Sequence, residues 1–273
     1  MNAVSGIEIF SLSDKGRVRS ENQDKLLVDP ENALFILADG AGGGRGGATA
    51  SRITVDTMAM ALKSLRKRSG YGGLWQRRER IQRLRASLYD AAQTANRTVV
   101  EQAAVATELN GMGSTLVAGV IDSRHCIAIT AGDSRIYHFR VGQLQQVSDD
   151  HTLARQLIDQ GFLQDGDDSA SKYKNVLTRA IGMQERLEVS NYDFPVAKGD
   201  MILICSDGLT NMVSDDFISR VLSTQDPPMR KVQRLIQSAN AAGGLDNISV
   251  ILITYDGYPA VISRLLGRYW GSR

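Results

Sequence analysis

Short apolar runs of four to seven residues recur along most of the chain, separated by polar breaks. Residues 34–38 read Leu-Phe-Ile-Leu-Ala, and residues 115–121, 127–131, 201–205 and 248–254 repeat the pattern in Val, Ile and Leu. Runs of this length bounded by Gly, Asp or Ser predict buried strands closed by turns. Two longer stretches change period. Over residues 48–65, Val55, Met58, Ala59, Leu62 and Leu65 fall on one helical stripe. Over residues 75–104, Ile81, Leu84, Leu88, Ala91, Ala92, Ala95 and Val99 do the same. A third helix is predicted around Val232, Leu235, Ile236 and Ala239. Strands with helices outside them, and few regular βαβ alternations, predict layered α+β packing. Residues 164–174 are polar and predict a mobile loop. The tail mixes Ile262, Leu265, Leu266 and Trp270 with Arg264, Arg268 and Arg273, a short amphipathic pattern weakened by Gly267 and Gly271.

The chain has 273 residues, enough for one large domain or two small ones. Its 42% apolar and 23% charged residues are those of an ordinary soluble protein. A net charge of +2 is too small to point to nucleic acid. No apolar run approaches the ~20 residues that span a bilayer, and the N-terminus lacks a signal-peptide pattern. Cys126 and Cys205 sit inside apolar runs and read as small buried hydrophobes, consistent with a cytoplasmic location. Between residues 62 and 88 lie Lys63, Arg66, Lys67, Arg68, Arg77, Arg78, Arg80, Arg83 and Arg85, with Glu79 the sole acid. Such a stretch is a solvated helix face or a docking surface for an acidic partner or membrane.

The placement of aspartates narrows the chemistry. Asp39 follows the run at 34–38 and precedes Gly40; Asp207 follows 201–205 and precedes Gly208. Asp246 precedes the run at 248–254, Asp24 precedes residues 25–28, and Asp133 lies between two strand-like runs. Each alone reads as a turn residue, since Asp-Gly is a common turn dipeptide. Together they are carboxylates at the ends of buried strands, where they can face a shared cleft without breaking the core. Two carboxylates ~4 Å apart repel by roughly 4 kcal/mol at an effective dielectric near 20, so protons or cations must relieve them. All-oxygen donors favour Mg²⁺ or Mn²⁺. Zinc fits poorly, with only His125, His138 and His151 available and no Cys-x-x-Cys pair. Arg19, five residues before Asp24, has the chemistry of a bidentate phosphate clamp, although alone it reads as a surface arginine.

Two other motifs compete. Residues 42–47 satisfy G-x-G-x-x-G after a strand, but the second strand ending in an acid, which a dinucleotide site needs, is replaced by Leu65-Arg66-Lys67-Arg68. Ser206 lacks the G-x-S-x-G elbow of a serine hydrolase, because Ile204 stands two residues before it.

The ordered series of segments resembles the PPM family, the PP2C-like protein serine/threonine phosphatases, in bacterial form. It runs from residues 16–24 with Arg19 and Asn22-Gln23-Asp24, through Asp39-Gly40 and Gly113-Ser114-Thr115, to Gly132-Asp133-Ser134-Arg135. It continues through Ser148-Asp149-Asp150-His151-Thr152 and residues 177–182, and ends with Ser206-Asp207-Gly208 and Asp246-Asn247. The resemblance spans about residues 7–256. It implies a four-layer α-β-β-α sandwich with two central, mainly antiparallel sheets and a dinuclear centre at one end. It implies that Asp39 bridges two Mn²⁺ or Mg²⁺ ions and that Gly40 offers its carbonyl. Asp207 and Asp246 would hold one ion, Asp24 would support the other through water, and Asp133 with Asp207 would form a weaker third site. Arg19 would hold the substrate phosphate while a metal-bridging water attacks phosphorus directly. It further implies a phosphatase domain over residues 1–257, with a basic helical insertion at about 62–104, a flap at about 152–176 and a basic tail at 258–273. Phosphorylated proteins, including a serine/threonine kinase or its substrates, are the expected partners of a monomeric, cytoplasmic enzyme that does not bind nucleic acid. A fold of this kind kept only for binding, without turnover, is the rival. Gln23 replaces the family's frequent Glu, and Ala41 stands where many eukaryotic members carry a histidine proposed as general acid.

Overall fold

The computed structural model describes residues 6–42, 46–63, 74–122, 124–164 and 168–256. The expected four layers are present. One sheet has the order β1 (Ile7–Asp14), β11 (Ile248–Tyr255), β10 (Asp200–Cys205), β7 (Arg135–Arg140), β8 (Gln143–Gln146). The other runs β2 (Asp24–Asp29), β3 (Leu34–Ala41), β5 (Leu116–Asp122), β6 (His125–Ala131), β9 (Ser190–Pro195), with the short β4 (Gly113–Ser114) paired to the end of β3. Every pairing between these strands is antiparallel.

The apolar runs are continuous because both strand faces are buried. In β3, Leu34, Ile36 and Ala38 face one core, while Phe35 and Leu37 face a second. In β11, Ile251, Ile253 and Tyr255 join that second core, while Ile248, Val250 and Leu252 face a third. The second core lies between the sheets. The first is closed by α1 (Gly46–Leu62) and α2 (Leu74–Val105), the third by α5 (Asp215–Ser223) and α6 (Pro228–Ala241). Period-2 alternation thus sorts each strand's residues between two cores.

The predicted helices fall on these elements with shifted ends. α1 starts at Gly46 and stops at Leu62; Ala59 on its expected stripe is only half-buried, and Leu65 lies outside the described residues. The stripe from Leu84 to Val99 in α2 is core, with Ile81 packed at its margin. The polar stretch before Lys174 contains a 3₁₀ helix at Asp168–Tyr173, so it is partly ordered rather than plain loop. The tail at 258–273 lies outside the described residues. Part of the basic stretch is paired internally. Arg80 bridges to Asp122 at 2.7 Å and Arg85 to Asp193 at 2.9 Å, fastening α2 to β5 and β9. No helix among the described residues is long and apolar enough to cross a membrane. Cys126 and Cys205 are buried and unbridged.

Candidate metal centre

Antiparallel registry carries the separated aspartates to one end of the sandwich. Asp24 and Asp39 are direct register partners across β2 and β3. Cys205, two residues before Asp207, pairs with Val250 of β11 and with Arg135 of β7. Asp207, Asp246 and Asp133 therefore emerge side by side.

Backbone contacts fix each motif. Thr115 N–H donates to the Asp39 carbonyl at 2.8 Å, and Asp39 N–H donates to Thr115 Oγ1 at 3.0 Å. Ser114 Oγ donates to the same carbonyl at 3.0 Å, and Thr115 Oγ1 and Ser134 Oγ share a bond at 2.8 Å. The Gly-Ser-Thr segment thereby sets Asp39 and touches the neighbour of Asp133. Neither Gly40 nor Gly208 is a left-handed turn residue. Gly40 lies in β3, and a Cβ there would overlap the Gly47 carbonyl; Gly208 is the second residue of α4 (Asp207–Thr210), and a Cβ there would overlap the Asn247 carbonyl. The turn reading of these Asp-Gly pairs is replaced by close backbone approach, which only glycine permits. The same requirement accounts for the glycine at 47, where β3 meets α1. With antiparallel strands on both sides, the dinucleotide reading has no βαβ unit to sit on.

Asn247 holds the segment that carries Arg19. Its Nδ2 donates to the carbonyls of Lys15 and Glu21 at 2.8 and 2.9 Å, and its Oδ1 accepts from Gln23 N–H at 2.8 Å. Arg17 and Val18 N–H both donate to the Gly244 carbonyl. Arg19 Nη2 then reaches Asp246 Oδ2 at 2.7 Å. Ser206 Oγ donates to Asp24 Oδ2 at 2.8 Å, and Asn211 Nδ2 donates to Asp207 Oδ2 at 2.9 Å. Ser206 is thus a positioning group and not a nucleophile. The roles of Asn247, Ser206 and Asn211 carry no local sequence signal beyond their place beside Asp246 and Asp207.

Electrostatics mark the cluster. Burial pushes the Asp39 carboxyl well above its usual range, and Asp24, Asp207, Asp133 and Asp246 push in the same direction. Burial lifts Asp24 to about 6 against hydrogen bonds from Ser249 and Ser206. Burial, then Asp207 and Asp150, lift Asp133 to about 7. Burial and Asp246 raise Asp207, while hydrogen bonds with Asp39 and Asn211 and the charge of Lys174 oppose them. Arg19 is held above its ordinary value by its hydrogen bond to Asp246 and by the fields of Asp246, Asp39 and Asp207. Asp24 Oδ1 is buried without a hydrogen-bond donor. A deep, all-oxygen, mutually repelling set with an orphaned carboxylate oxygen fits hard divalent ions. Among the described residues no three acidic, histidine or cysteine side chains already converge as a cage on one point.

The sequence matches the family described as protein phosphatase 2C over residues 16–247. The chain belongs to the protein phosphatase 2C family. It is 34% identical over 247 residues to "Serine/threonine phosphatase stp" of Listeria monocytogenes, covering 89% of this chain and 94% of that protein. It is 31% identical to "Protein phosphatase PhpP" of Streptococcus pneumoniae, covering 91% and 97%. Among solved structures, the catalytic domain of the serine/threonine protein phosphatase PstP, in complex with two manganese ions, matches with a TM-score of 0.75 and 30% identity, covering 92% and 99%. The sandwich and the protein phosphatase class expected from the motifs are both borne out.

Proposed function

We propose that this protein 2C-type phosphatase hydrolyses phosphoserine and phosphothreonine in proteins with Mn²⁺ or Mg²⁺ held by Asp39, Asp207, Asp246 and the Gly40 carbonyl. Asp24 supports the same centre, and Asp133 with Asp207 provides a weaker third position. The observation carrying this reading is the set of mutually repelling carboxylates, buried Asp24 and half-buried Asp39, Asp133 and Asp207, gathered at one end of a phosphatase fold. The two manganese ions of the PstP structure support the choice of metal. When bound, such ions supply Lewis acidity and charge neutralisation for transfer of a phosphoryl group to water.

The chain's own residues orient the substrate. Arg19 is 55% exposed, and its Nη2 is bonded to Asp246. A guanidinium has five N–H donors in a rigid fork, so the others are available to grip phosphate oxygens. Asn247 keeps the Arg19 segment in place, and Ser206 keeps Asp24 an acceptor. Ala41 has no titratable group, so protonation of the leaving oxygen falls to no side chain at that position. The relatives named as serine/threonine phosphatases support a role that reverses a serine/threonine kinase in bacterial signalling. A cytoplasmic, monomeric enzyme is the working form, consistent with two buried, unbridged cysteines.

The test is hydrolysis of a phosphothreonine peptide and of p-nitrophenyl phosphate by the purified chain. Activity is expected with Mn²⁺ and is abolished by EDTA. Absence of any Mn²⁺-dependent hydrolysis would favour a fold kept for binding alone.

A further inference from the structure

Asp133 lies where the chain crosses between the sheets. β6 belongs to one sheet and β7 to the other, and only residues 132–134 join them. Strand register fixes Ala131 against Leu116 and Arg135 against Cys205, but the residues between have no ladder partner. Other contacts hold the crossing. On one side, Ser134 Oγ shares its bond with Thr115 Oγ1 at 2.8 Å. On the other, Gly132 has no side chain, and His151 grips its backbone at both polar groups. His151 N–H donates to the Gly132 carbonyl at 2.9 Å, and Gly132 N–H donates to His151 Nδ1 at 3.1 Å. His151 stands two residues before α3 (Leu153–Asp159), and its own carbonyl accepts from Thr178 N–H at 2.8 Å.

The ring is held in one protonation state. Because Nδ1 accepts from Gly132, the neutral ring carries its proton on Nε2, which donates to Ser190 Oγ at 2.8 Å. Arg179 Nη1 lies 3.4 Å from Nε2 and donates to Ser190 Oγ at 3.3 Å. Burial, and then the Arg179 charge, push His151 down to about 4, against Asp149, Asp150 and Glu188. The acceptor on Nδ1 is therefore kept at neutral pH. An open cleft of about 580 Å³ is lined by Asp133 and Asp207 but not by His151, which is 7% exposed. The ring thus reaches the site through the backbone that it holds.

We infer that His151 is a positioning residue: by holding Gly132 at its N–H and its carbonyl, it aims the Asp133 carboxylate toward Asp207 and so sets the weak third cation position. The inference rests on the phosphatase reading and on the assignment of Asp133 and Asp207 to that position. A group that orients a ligating residue is worth about 10–100-fold in metal affinity, and one acting through a neighbour's backbone stands at the lower end.

The experiment follows Mn²⁺ binding to the full chain by calorimetry in the wild type, His151→Asn and His151→Gln, with Asp133→Asn marking the weak class of sites. An Asn side chain puts its carbonyl oxygen where Nδ1 sits, and a Gln side chain puts its amide where Nε2 sits. His151→Gln should keep the Ser190 contact and lose the one to Gly132. It should weaken the weak class about tenfold and leave the tight class within about twofold. His151→Asn should keep the Gly132 contact, lose the one to Ser190, and rescue the weak class to within about twofold of the wild type. Exchange of the Gly132 amide, read by NMR, should accelerate in His151→Gln alone. In an Asp133→Asn background, His151→Gln should change Mn²⁺ binding no further. A larger loss in His151→Asn than in His151→Gln, equal losses in both or no loss in either would overturn the proposal. So would equal weakening of both classes, no weak class removed by Asp133→Asn, or a further fall in that background. Absence of Mn²⁺-dependent p-nitrophenyl phosphate hydrolysis by the wild type would instead overturn the phosphatase reading beneath it.

Discussion

The two ends of the sandwich use the same residue type in opposite ways. At one end, buried Asp24 and half-buried Asp39, Asp207 and Asp133 crowd one another, and every one is pushed up in pKa. At the other, Asp200, Asp193 and Asp122 each have a cation. Asp200 opens β10, is 3% exposed, and accepts from Arg140 Nε at 2.9 Å, Arg140 Nη2 at 2.6 Å and His138 Nε2 at 2.9 Å. Ala197 N–H adds a fourth donor at 2.7 Å. Burial works against its charge, yet these partners hold Asp200 below the ordinary carboxylate range. Asp193 meets Arg85 and His125, and Asp122 meets Arg80. A strand-end aspartate is therefore not informative by itself. What distinguishes the functional end is that its acids face each other and leave cations to be supplied from outside.

That contrast can be broken by exchanging charge for amide at each end. Asp39→Asn should lower Mn²⁺-dependent turnover by about 10²–10³-fold or more, as loss of a principal electrostatic group does. Its melting temperature without metal should stay level or rise, because a repelling charge is removed. Asp200→Asn should do the reverse. It should cost about 2–3 kcal/mol in denaturant unfolding, since buried partners lose a charged acceptor while Arg140 keeps some contact with water. Its turnover per folded molecule should match the wild type. Equal losses of activity in both variants would erase the distinction between the ends.

Proton competition sharpens it further. Metal binding needs ionised carboxylates, and Asp24 and Asp133 titrate near 6 and 7. Their folded pKa values are raised, so without metal they add stability below the unfolded value near 4 and lose it as pH rises through 6 to 7. Mn²⁺ should therefore raise the melting temperature most at pH 7–8, and the increment should shrink by pH 5. An increment independent of pH would mean that these carboxylates do not hold the ion. The smallest effect is expected at Ser206. Ser206→Ala leaves Asp24 Oδ2 without its donor and should weaken Mn²⁺ binding about tenfold by calorimetry, with the fold intact.

Much of this was legible in the chain. Strands β3, β5, β6, β10 and β11 stood out because burial on both faces removes polar positions from them. β9, with alternating exposed residues in Ser190–Pro195, and β1 gave no such run. α5, nine residues long, was too short to declare a period. The acids at strand ends were visible because a charge abutting an apolar run is locally odd. Their supports were not, because the bonds from Asn247 to Lys15 and from Ser206 to Asp24 span 232 and 182 residues. Pairing at that range depends on sheet register, which no local pattern encodes. In the basic stretch Arg77, Arg78 and Arg83 are exposed as on a solvated helix face, while the partners of Arg80 and Arg85, Asp122 and Asp193, were hidden for the same reason.

The most direct test is a crystal grown in Mn²⁺ with anomalous scattering recorded. The account predicts two strong peaks among Asp39, Asp207, Asp246 and the Gly40 carbonyl, and none beside Asp200. Peaks absent from that cluster, with its carboxylates paired to protein cations instead, would contradict it.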